Sequence, residues 1–385
     1  MKRITPLLLT TLSLALLACG NFPEKYENVI EDEKIRPLAI ILDYPDAAPG
    51  DTITADLVMY DAGKDYTIDW ELSLNFSVSN YGELGKGDIL YDLDADPATS
   101  YDNGRLRLKF VIPTGDNNPL VKSSLVPKVI ELSDDEREQL ENQGFPVTST
   151  GFKTSDLVHY LDAVPSIPAE FTSMIDQMVG LIVLTAKVQS SEFKLDVNKK
   201  VSVRYSNRLA SGSYVNNVNR NPRLDAMGII SVKAKGMDDS HRIGEFEADT
   251  QYFSMNFNNN YLALGSIVDT FVIKDEYSYF LMADTAGAAQ IYRSPENIEH
   301  KEQLFYQWFY TNLDKTNANW EDLIELGGDH GYNGMPVVYL KIPSNKDMHN
   351  FTIRSVVRDW RPEWAMLSAA GIGYLEARGY FKYQN

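Results

Sequence analysis

The sequence predicts a mainly β protein made of two β-sandwiches, with a partly helical insertion in the first. Two observations lead to this fold class. Apolar and polar residues alternate with a period of two in many short segments, which is typical of half-buried antiparallel strands. Turn-forming Gly, Pro, Asn and Asp residues separate those segments at roughly ten-residue spacing. The length of 385 residues suits two domains.

The clearest strand patterns of the first half begin at Trp70. Residues 70–78 place five apolar side chains on one face and four polar ones on the other. Residues 105–112 and 200–205 alternate in the same way, and the segments 38–42 and 53–59 predict two further strands. On the polar face of the segment 200–205 lie Lys200, Ser202 and Arg204.

A region between these strands departs from the alternation. Residues Ser133 to Glu136 have the pattern of a capping box, which predicts a helix that runs to Gln143. Apolar residues then recur at helical spacing from Phe171 to Met178, after a proline that suits a first helical position. The sequence therefore predicts a partly helical insertion at 119–181. Its methionines fit either a core or a partner groove.

The second half also contains many short segments with a strand pattern, and it ends in an aromatic-rich segment. The predicted strands lie at 229–233, around Phe246, and at 252–257, 267–273, 277–282, 305–310, 337–342, 351–358 and 374–383. Each half has a tryptophan in a middle strand, Trp70 in the first and Trp308 in the second. A tryptophan at this place packs between the sheets of immunoglobulin-type sandwiches. We therefore expect two immunoglobulin-like β-sandwich domains.

The N-terminus has the pattern of a secretory signal. Lys2 and Arg3 precede an apolar stretch at 7–18 that is too short for a stable membrane span. The stretch ends in Leu-Leu-Ala-Cys-Gly, which resembles the bacterial lipobox, and this resemblance implies that Cys19 is acylated and becomes the first residue. The alternative is an ordinary signal peptide followed by a chance cysteine. Because Cys19 is the single cysteine, no disulfide can form within the chain.

The charge of the chain bears on its partners and its location. Cleavage before Cys19 would leave 34 Lys+Arg against 54 Asp+Glu, a net charge of −20. Such an excess of acid argues against nucleic acid as a partner and against electrostatic attraction to anionic lipid. Several acyl chains, at about 0.8 kcal/mol per buried methylene, would provide the membrane anchor instead. Gly20 is not the aspartate of inner-membrane lipoproteins, so the resemblance implies the outer membrane, on its periplasmic or outer face.

The order of several short motifs resembles a group of uncharacterised bacterial lipoproteins with tandem immunoglobulin-like domains. The matching segments are Pro49-Gly50-Asp51, Phe110-Val111-Ile112-Pro113, Lys199-Lys200-Val201-Ser202-Val203, Asn219-Arg220-Asn221-Pro222, Trp308-Phe309 and Val356-Val357-Arg358-Asp359. They span residues 35 to 365, and the chain departs from the pattern at Trp360-Arg361-Pro362. The resemblance implies architecture and location, without any catalytic residue.

The domain boundaries follow from these patterns. They are a lipoprotein signal peptide at 1–18, an acidic lipid tether at 19–34, a first immunoglobulin-like domain at 35–206 with its insertion at 119–181, a linker at 207–224 and a second immunoglobulin-like domain at 225–385.

The strongest metal hypothesis concerns an acidic loop. Asp92, Asp94 and Asp96 alternate along the chain and could present oxygens to one calcium ion. Pro97 stands where the helix-loop-helix calcium motif needs glycine, so an exposed loop of an acidic protein is the other interpretation. No pair of the five histidines has zinc-helix spacing, and neither a nucleophile elbow nor a P-loop is present.

The expected function is therefore a lipid-anchored, non-enzymatic module of the cell envelope that binds or supports another envelope component. The predicted partners are the membrane, through Cys19, and an envelope protein or glycan. Two alternatives remain open at this point. Surface aromatics along one sheet would favour a carbohydrate-binding lipoprotein. Two carboxylates that converge in a cleft would favour a cell-wall or polysaccharide hydrolase.

Overall fold

The structure is a computed structural model that describes most of the chain between residues 29 and 384. The described residues are 29–30, 35–60, 65–74, 77–78, 84–85, 89–91, 93, 100–102, 105–122, 126–142, 144–145, 147–163, 178–191, 194–205, 218–237, 243–253, 255–259, 262–264, 269–284, 287–294, 298–312, 323–326, 336–340, 349–362 and 369–384.

The strands up to residue 203 form the first sandwich, apart from β1 and two small hairpins. They are β1 (Val29–Ile30), β2 (Arg36–Leu42), β3 (Asp46–Ala47), β4 (Thr52–Tyr60), β5 (Thr67–Leu74), β6 (Ser77–Val78), β7 (Leu84–Gly85), β8 (Ile89–Tyr91), β9 (Ser100–Asp102), β10 (Arg105–Val111), β11 (Val129–Glu131), β12 (Gly151–Lys153), β13 (Gly180–Gln189) and β14 (Lys194–Val203). One sheet has the order β2-β4-β10-β9 and the other has the order β3-β14-β13-β5-β8. All their pairs are antiparallel except the parallel pair of β3 with β14.

The predicted alternation is confirmed in the core of this sandwich. Trp70, Leu72 and Leu74 of β5 point inward and meet the inward residues of β4 and β10 from the opposite sheet. The inward residues of β4 are Ile53, Ala55, Leu57 and Met59. A face of alternate apolar residues forms a strand because each one leaves water without burying a polar neighbour.

Among the described residues, three helices lie between β10 and β13, so they form an insertion in the first sandwich. They are α1 (Pro119–Lys122), α2 (Asp134–Asn142) and α3 (Thr154–Ala163), and a 3-10 turn (Gly115–Asn117) precedes them. The capping box is confirmed: the Ser133 N–H and hydroxyl donate to Glu136 Oε2, and the Glu136 N–H donates back to Ser133 Oγ at 3.3 Å. The second predicted helix, from Pro168 to Met178, lies outside the described residues except for Met178.

The insertion has its own small core and is tied to the end of β14. Leu157, Val158 and Leu161 of α3 pack with Tyr205, two residues after the end of that strand. The Tyr205 hydroxyl accepts a hydrogen bond from Asn118 at 3.0 Å and donates one to Asp162. Tyr205 therefore leaves the sandwich core in which Val201 and Val203 lie and anchors the helices instead.

The remaining strands build the second sandwich, together with β1. They are β15 (Ala226–Met237), β16 (Ile243–Tyr252), β17 (Asn256–Asn259), β18 (Leu262–Leu264), β19 (Asp269–Ile273), β20 (Ser278–Asp284), β21 (Ile291–Arg293), β22 (Glu299–Lys301), β23 (Gln303–Asn312), β24 (Leu323–Leu326), β25 (Val337–Leu340), β26 (His349–Trp360) and β27 (Ile372–Tyr383). The larger sheet has the order β1-β24-β23-β26-β27-β18-β17, with β19 also paired to β27, and the smaller sheet has the order β16-β15-β20-β25. Strands β21 and β22 form a separate hairpin.

The core of the second sandwich is aromatic, and Trp308 lies fully buried within it, as predicted. Phe351 of β26 and Phe381 of β27 stack with ring centroids 4.2 Å apart. The predicted strand 252–257 is wrong in one respect. Strand β16 ends at Tyr252 and β17 begins at Asn256 in the other sheet, because the chain crosses between the sheets here and Phe253 turns into the core.

These sheets confirm the fold class, a mainly β protein of two immunoglobulin-like sandwiches with a partly helical insertion in the first. The limits assigned above to the signal peptide, tether, linker and domains stay predictions. No helix among the described residues is long and apolar enough to span a membrane.

Candidate functional site: the junction of the two sandwiches

The outer face of one sheet in each sandwich packs against the other sandwich. Leu38, Ala39, Ile41 and Val58 of the first sandwich form one apolar cluster with Phe309, Val356, Ile372 and Tyr374 of the second. All eight side chains are buried, most of them with at most 2% of their surface exposed. Because burial of a large apolar side chain contributes about 1.5–3 kcal/mol, this patch stabilises one fixed arrangement of the sandwiches.

Asn219 and Asn221, which precede β15, connect the two sandwiches beside this patch. The Asn219 N–H donates to Asp46 Oδ2 of the first sandwich at 2.7 Å. Its side-chain amide donates to Asp359 Oδ1 of the second sandwich at 3.1 Å. Asn221 donates to the Leu42 carbonyl at 2.6 Å and accepts from the Ile372 N–H at 2.8 Å. Each asparagine thus holds one group from either side.

Two glycines make this close approach possible. A Cβ at Gly371 would lie 2.7 Å from the Arg220 carbonyl oxygen and 2.3 Å from Asp359 Oδ2. A Cβ at Gly373 would lie 2.8 Å from the Pro222 carbonyl oxygen. The Gly371-Ile372-Gly373 sequence therefore serves contact between the start of β27 and the segment that leads into β15.

Two buried ion pairs flank these bridges. Asp46 pairs with Arg204 at 3.2 Å, and Glu302 pairs with Arg361 at 2.7 Å. In both pairs the side chains are at most 2% exposed. Glu302 also accepts the Gln290 N–H at 2.7 Å. Buried charges of this kind are tolerated only when they are paired, and each pair lies within one sandwich, Asp46–Arg204 in the first and Glu302–Arg361 in the second.

Asp359 lies in the same region, but its electrostatic environment differs from that of the paired acids. Its Oδ1 accepts hydrogen bonds from Asn219 and from the Gly371 N–H, the latter at 2.9 Å. Burial and the neighbouring Glu302 carboxylate raise the pKa of Asp359 to about 8, although Arg361 and these hydrogen bonds act against the shift. Burial also raises the pKa of Glu302, against the charge of Arg361. Asp359 is therefore a carboxyl group that favours its neutral form.

Lys199 of β14 faces the same region from the first sandwich. Its ammonium group donates to the Ala370 carbonyl, just before β27. Burial and the positive charge of Arg358 lower the pKa of Lys199 to about 7, while Asp359 opposes the shift. Next to it, Ser202 Oγ accepts the Ala369 N–H at 2.6 Å.

A second polar cluster borders the apolar patch on the larger sheet of the second sandwich. The Tyr374 hydroxyl donates to Glu376 Oε2 at 2.7 Å, and Arg354 lies 3.3 Å from the same oxygen. Burial opposes ionisation of Glu376, but the Arg354 charge and the Tyr374 hydrogen bond hold its pKa below the usual value. Burial and the Glu376 charge raise the pKa of Tyr374 well above its usual value.

Chemically, these groups bind each other. The polar groups of the junction are buried, and hydrogen bonds of Asn219, Asn221, Lys199 and Ser202 connect the two sandwiches, so the arrangement acts as a joint that fixes their relative orientation. The polar face predicted for residues 200–205 is wrong in this respect. Ser202 and Arg204 are buried in the junction because the second sandwich covers that face.

The structure does not describe the site residues predicted from the sequence. Cys19, Asp92, Asp94 and Asp96 are outside the described residues. Within the described ranges, no group of three or more His, Cys, Asp or Glu side chains could hold a metal ion. Sequence reasoning missed the junction, although the motif Asn219-Arg220-Asn221-Pro222 and two glycines, Gly371 just before β27 and Gly373 at its start, carried the signal for it.

A different surface faces away from the junction, on the smaller sheet of the second sandwich. Tyr339 of the terminal strand β25 is 56% exposed, and its ring contacts Phe280 of β20 edge-on at 5.6 Å. Val337 and, on β16, Tyr252 are also exposed on this face. Inward residues such as Leu281 and Val338 fill the core, so we define the outward set Tyr252, Phe280, Val337 and Tyr339 as the aromatic face.

Comparison with known proteins yields no family. No family model matches the chain, and no curated protein matches it. Among solved structures, an activated Escherichia coli alpha-2-macroglobulin aligns with 92% of this chain and 35% of its own, at 8% identity and a TM-score of 0.20. This chain thus spans about a third of that protein.

Two other solved structures align over comparable lengths. The three N-terminal domains of the bacteriophage RB49 outer capsid protein Hoc align with 91% of this chain and 100% of their own, at 7% identity and a TM-score of 0.17. Drosophila N-cadherin EC1-4 aligns with 92% of this chain and 76% of its own, at 8% identity and a TM-score of 0.15. All three similarities are weak, and the fold class here rests on the sheets of this chain.

Proposed function

We propose that the protein is a lipid-anchored, non-enzymatic component of the cell envelope that acts as a binding or structural module for another envelope component. The observation that carries this proposal is the junction. It uses two bridging asparagines and an apolar patch to fix two sandwiches in one orientation. A fixed pair of sandwiches suits a protein that presents a surface at a set distance from its anchor.

The anchor itself would be Cys19, at the end of an apolar signal. Metabolic labelling with an alkyne fatty acid, followed by membrane fractionation, tests it. We expect label and outer-membrane fractionation in the native protein and loss of both in Cys19→Ala. Incorporation of label into the Cys19→Ala protein would refute the assignment.

The binding role is tested at the aromatic face. A photo-cross-linking amino acid placed at Tyr339 in intact cells would report what lies against this face. The same amino acid at Val129, which is 39% exposed on the hairpin strand β11, is the matched control. We expect one dominant adduct from position 339 that is absent from position 129. Equal adduct patterns from both positions would argue against a binding surface here.

A carbohydrate-binding lipoprotein is the second candidate, and the exposure of Tyr252 and Tyr339 on one face favours it. Aromatic rings that stand clear of the protein can provide stacking area for a partner. Co-sedimentation with purified wall polysaccharide tests it. Glycan binding predicts pelleting that Tyr339→Ala weakens severalfold, and no pelleting of the native protein would eliminate this candidate.

A further inference from the structure

Three carboxyl groups converge at the junction, and two of them have a cationic partner. Asp46 forms an ion pair with Arg204, and Glu302 forms one with Arg361. Among the described residues, no salt bridge involves Asp359, which is 2% exposed. Asp46 comes from the first sandwich and Glu302 and Asp359 from the second, so docking brings Asp46 to the other two.

The hydrogen bonds of Asp359 indicate that it carries a proton. Both of its donors, Asn219 and the Gly371 N–H, bond to Oδ1. Its Oδ2 is buried and accepts no hydrogen bond from any residue that the structure describes. An ionised carboxylate with one oxygen buried and unsatisfied is costly, whereas a protonated one removes the charge.

We propose that the junction is a proton-dependent latch, in which Asp359 holds a proton while the sandwiches are docked and releases it when they separate. Mildly acidic surroundings therefore favour the docked form, and neutral surroundings loosen it. The proposal concerns the joint between the sandwiches and does not depend on what the protein binds.

The direction follows from the proton balance. Once exposed, Asp359 would lose the burial that is the largest cause of its raised pKa, so this pKa would fall from about 8 toward the ordinary value of 3.8. Between these values the docked form holds one more proton, so docking weakens as the pH rises, by up to about tenfold per unit. Glu302 acts in the same direction, since its pKa is also raised.

The other charged groups at the junction alter the pH dependence of docking only near neutral pH. Lys199, with a pKa lowered to about 7, is protonated in both forms below that value and contributes nothing there. Above it, the docked form has lost the Lys199 proton and the open form has not, which cancels the effect of Asp359 near pH 7.5. Arg204, Arg358 and Arg361 remain cationic throughout. The pH dependence should therefore lie between about pH 4.5 and 7.

Hydrogen exchange on the full-length protein tests the latch. The Asn219 and Ala369 N–H groups donate to residues of the first sandwich, Asp46 and Ser202, so their protection reports docking. Between pH 5 and pH 7, we expect their protection, after correction for the intrinsic exchange rate, to fall by up to about a hundredfold. Amides in the core strand β13 should not follow this fall.

The variant Asp359→Asn separates the latch from a general loss of stability. An amide keeps the shape and the acceptor oxygen of the neutral carboxyl group, so it should remove most of the pH dependence while the junction stays protected at pH 7. In Lys199→Met, the protection of the junction amides should fall between pH 5 and 7 as in the native protein, and the fall should continue to pH 8. The proposal would be overturned if protection of the junction amides did not change with pH in the native protein, or if it changed equally in Asp359→Asn. If Asp359→Asn fails to fold, the native slope and the Lys199→Met profile still decide it.

Discussion

Replacement of Gly371 by alanine probes the closest contact of the junction. The added Cβ would lie 2.3 Å from Asp359 Oδ2, 2.7 Å from the Arg220 carbonyl oxygen and 2.9 Å from Asn221 Cα. Real Cβ contacts are essentially never under 3.0 Å, so all three neighbours must move. Two of them are backbone atoms, which leaves little room for a local adjustment.

The cost can be worked from these contacts. Overpacking of a tight site costs about 1–3 kcal/mol. If the Asp359 side chain rotates away, its hydrogen bonds from Asn219 and from residue 371 are lost as well, at about 1 kcal/mol each. We therefore expect Gly371→Ala to lower the free energy of unfolding by about 3 kcal/mol. For domains of this size, that corresponds to a fall of roughly 6–12 °C in Tm.

The assay is thermal and urea unfolding, followed by tryptophan fluorescence, with Gly287→Ala as the matched control. Gly287 lies in an exposed turn, and a Cβ there would meet nothing within 4 Å. The control should change stability by less than about 0.5 kcal/mol. If Gly371→Ala and Gly287→Ala unfold at the same urea concentration, the close packing of the junction described above is refuted.

Two further predictions concern charged groups. Asp46→Asn should cost about 3–5 kcal/mol in urea unfolding, because it leaves Arg204 buried beside a neutral partner. Asp225→Asn, which breaks an exposed pair, should cost about 0–1 kcal/mol, and equal costs would contradict the argument. In the capping box, the Ser133 hydroxyl and N–H hold the pKa of Glu136 below its usual value. An NMR titration should show this pKa rise in Ser133→Ala but not in Ser133→Thr, and no rise would show that the hydroxyl is unimportant.

Much of the fold could be predicted from the sequence because its signals are local. The alternation around Trp70 and in 105–112 gives each strand an apolar face, and the structure buries those faces. The capping box predicted where α2 begins. Where the prediction was wrong, at 252–257, alternation continued while the chain passed from one sheet to the other. A period-two pattern does not report which strand is the neighbour.

The candidate site was less predictable. The segment 200–205 has two faces of different polarity, and the sequence alone implied water on the polar one. Alternation indicates that two faces differ and does not identify what covers them. The calcium loop and the lipidation of Cys19 stay predictions, because they lie outside the described residues.

The sequence by itself determined the fold class, the strands and the tryptophans at their centres, since these depend on residues a few positions apart. Only the tertiary structure decided the junction. Asn219 contacts Asp46 across 173 positions and Asp359 across 140. Contacts over such distances leave no periodic trace in the sequence. Whether Asp359 and Lys199 are charged depends on burial, which exists only after the two sandwiches have docked.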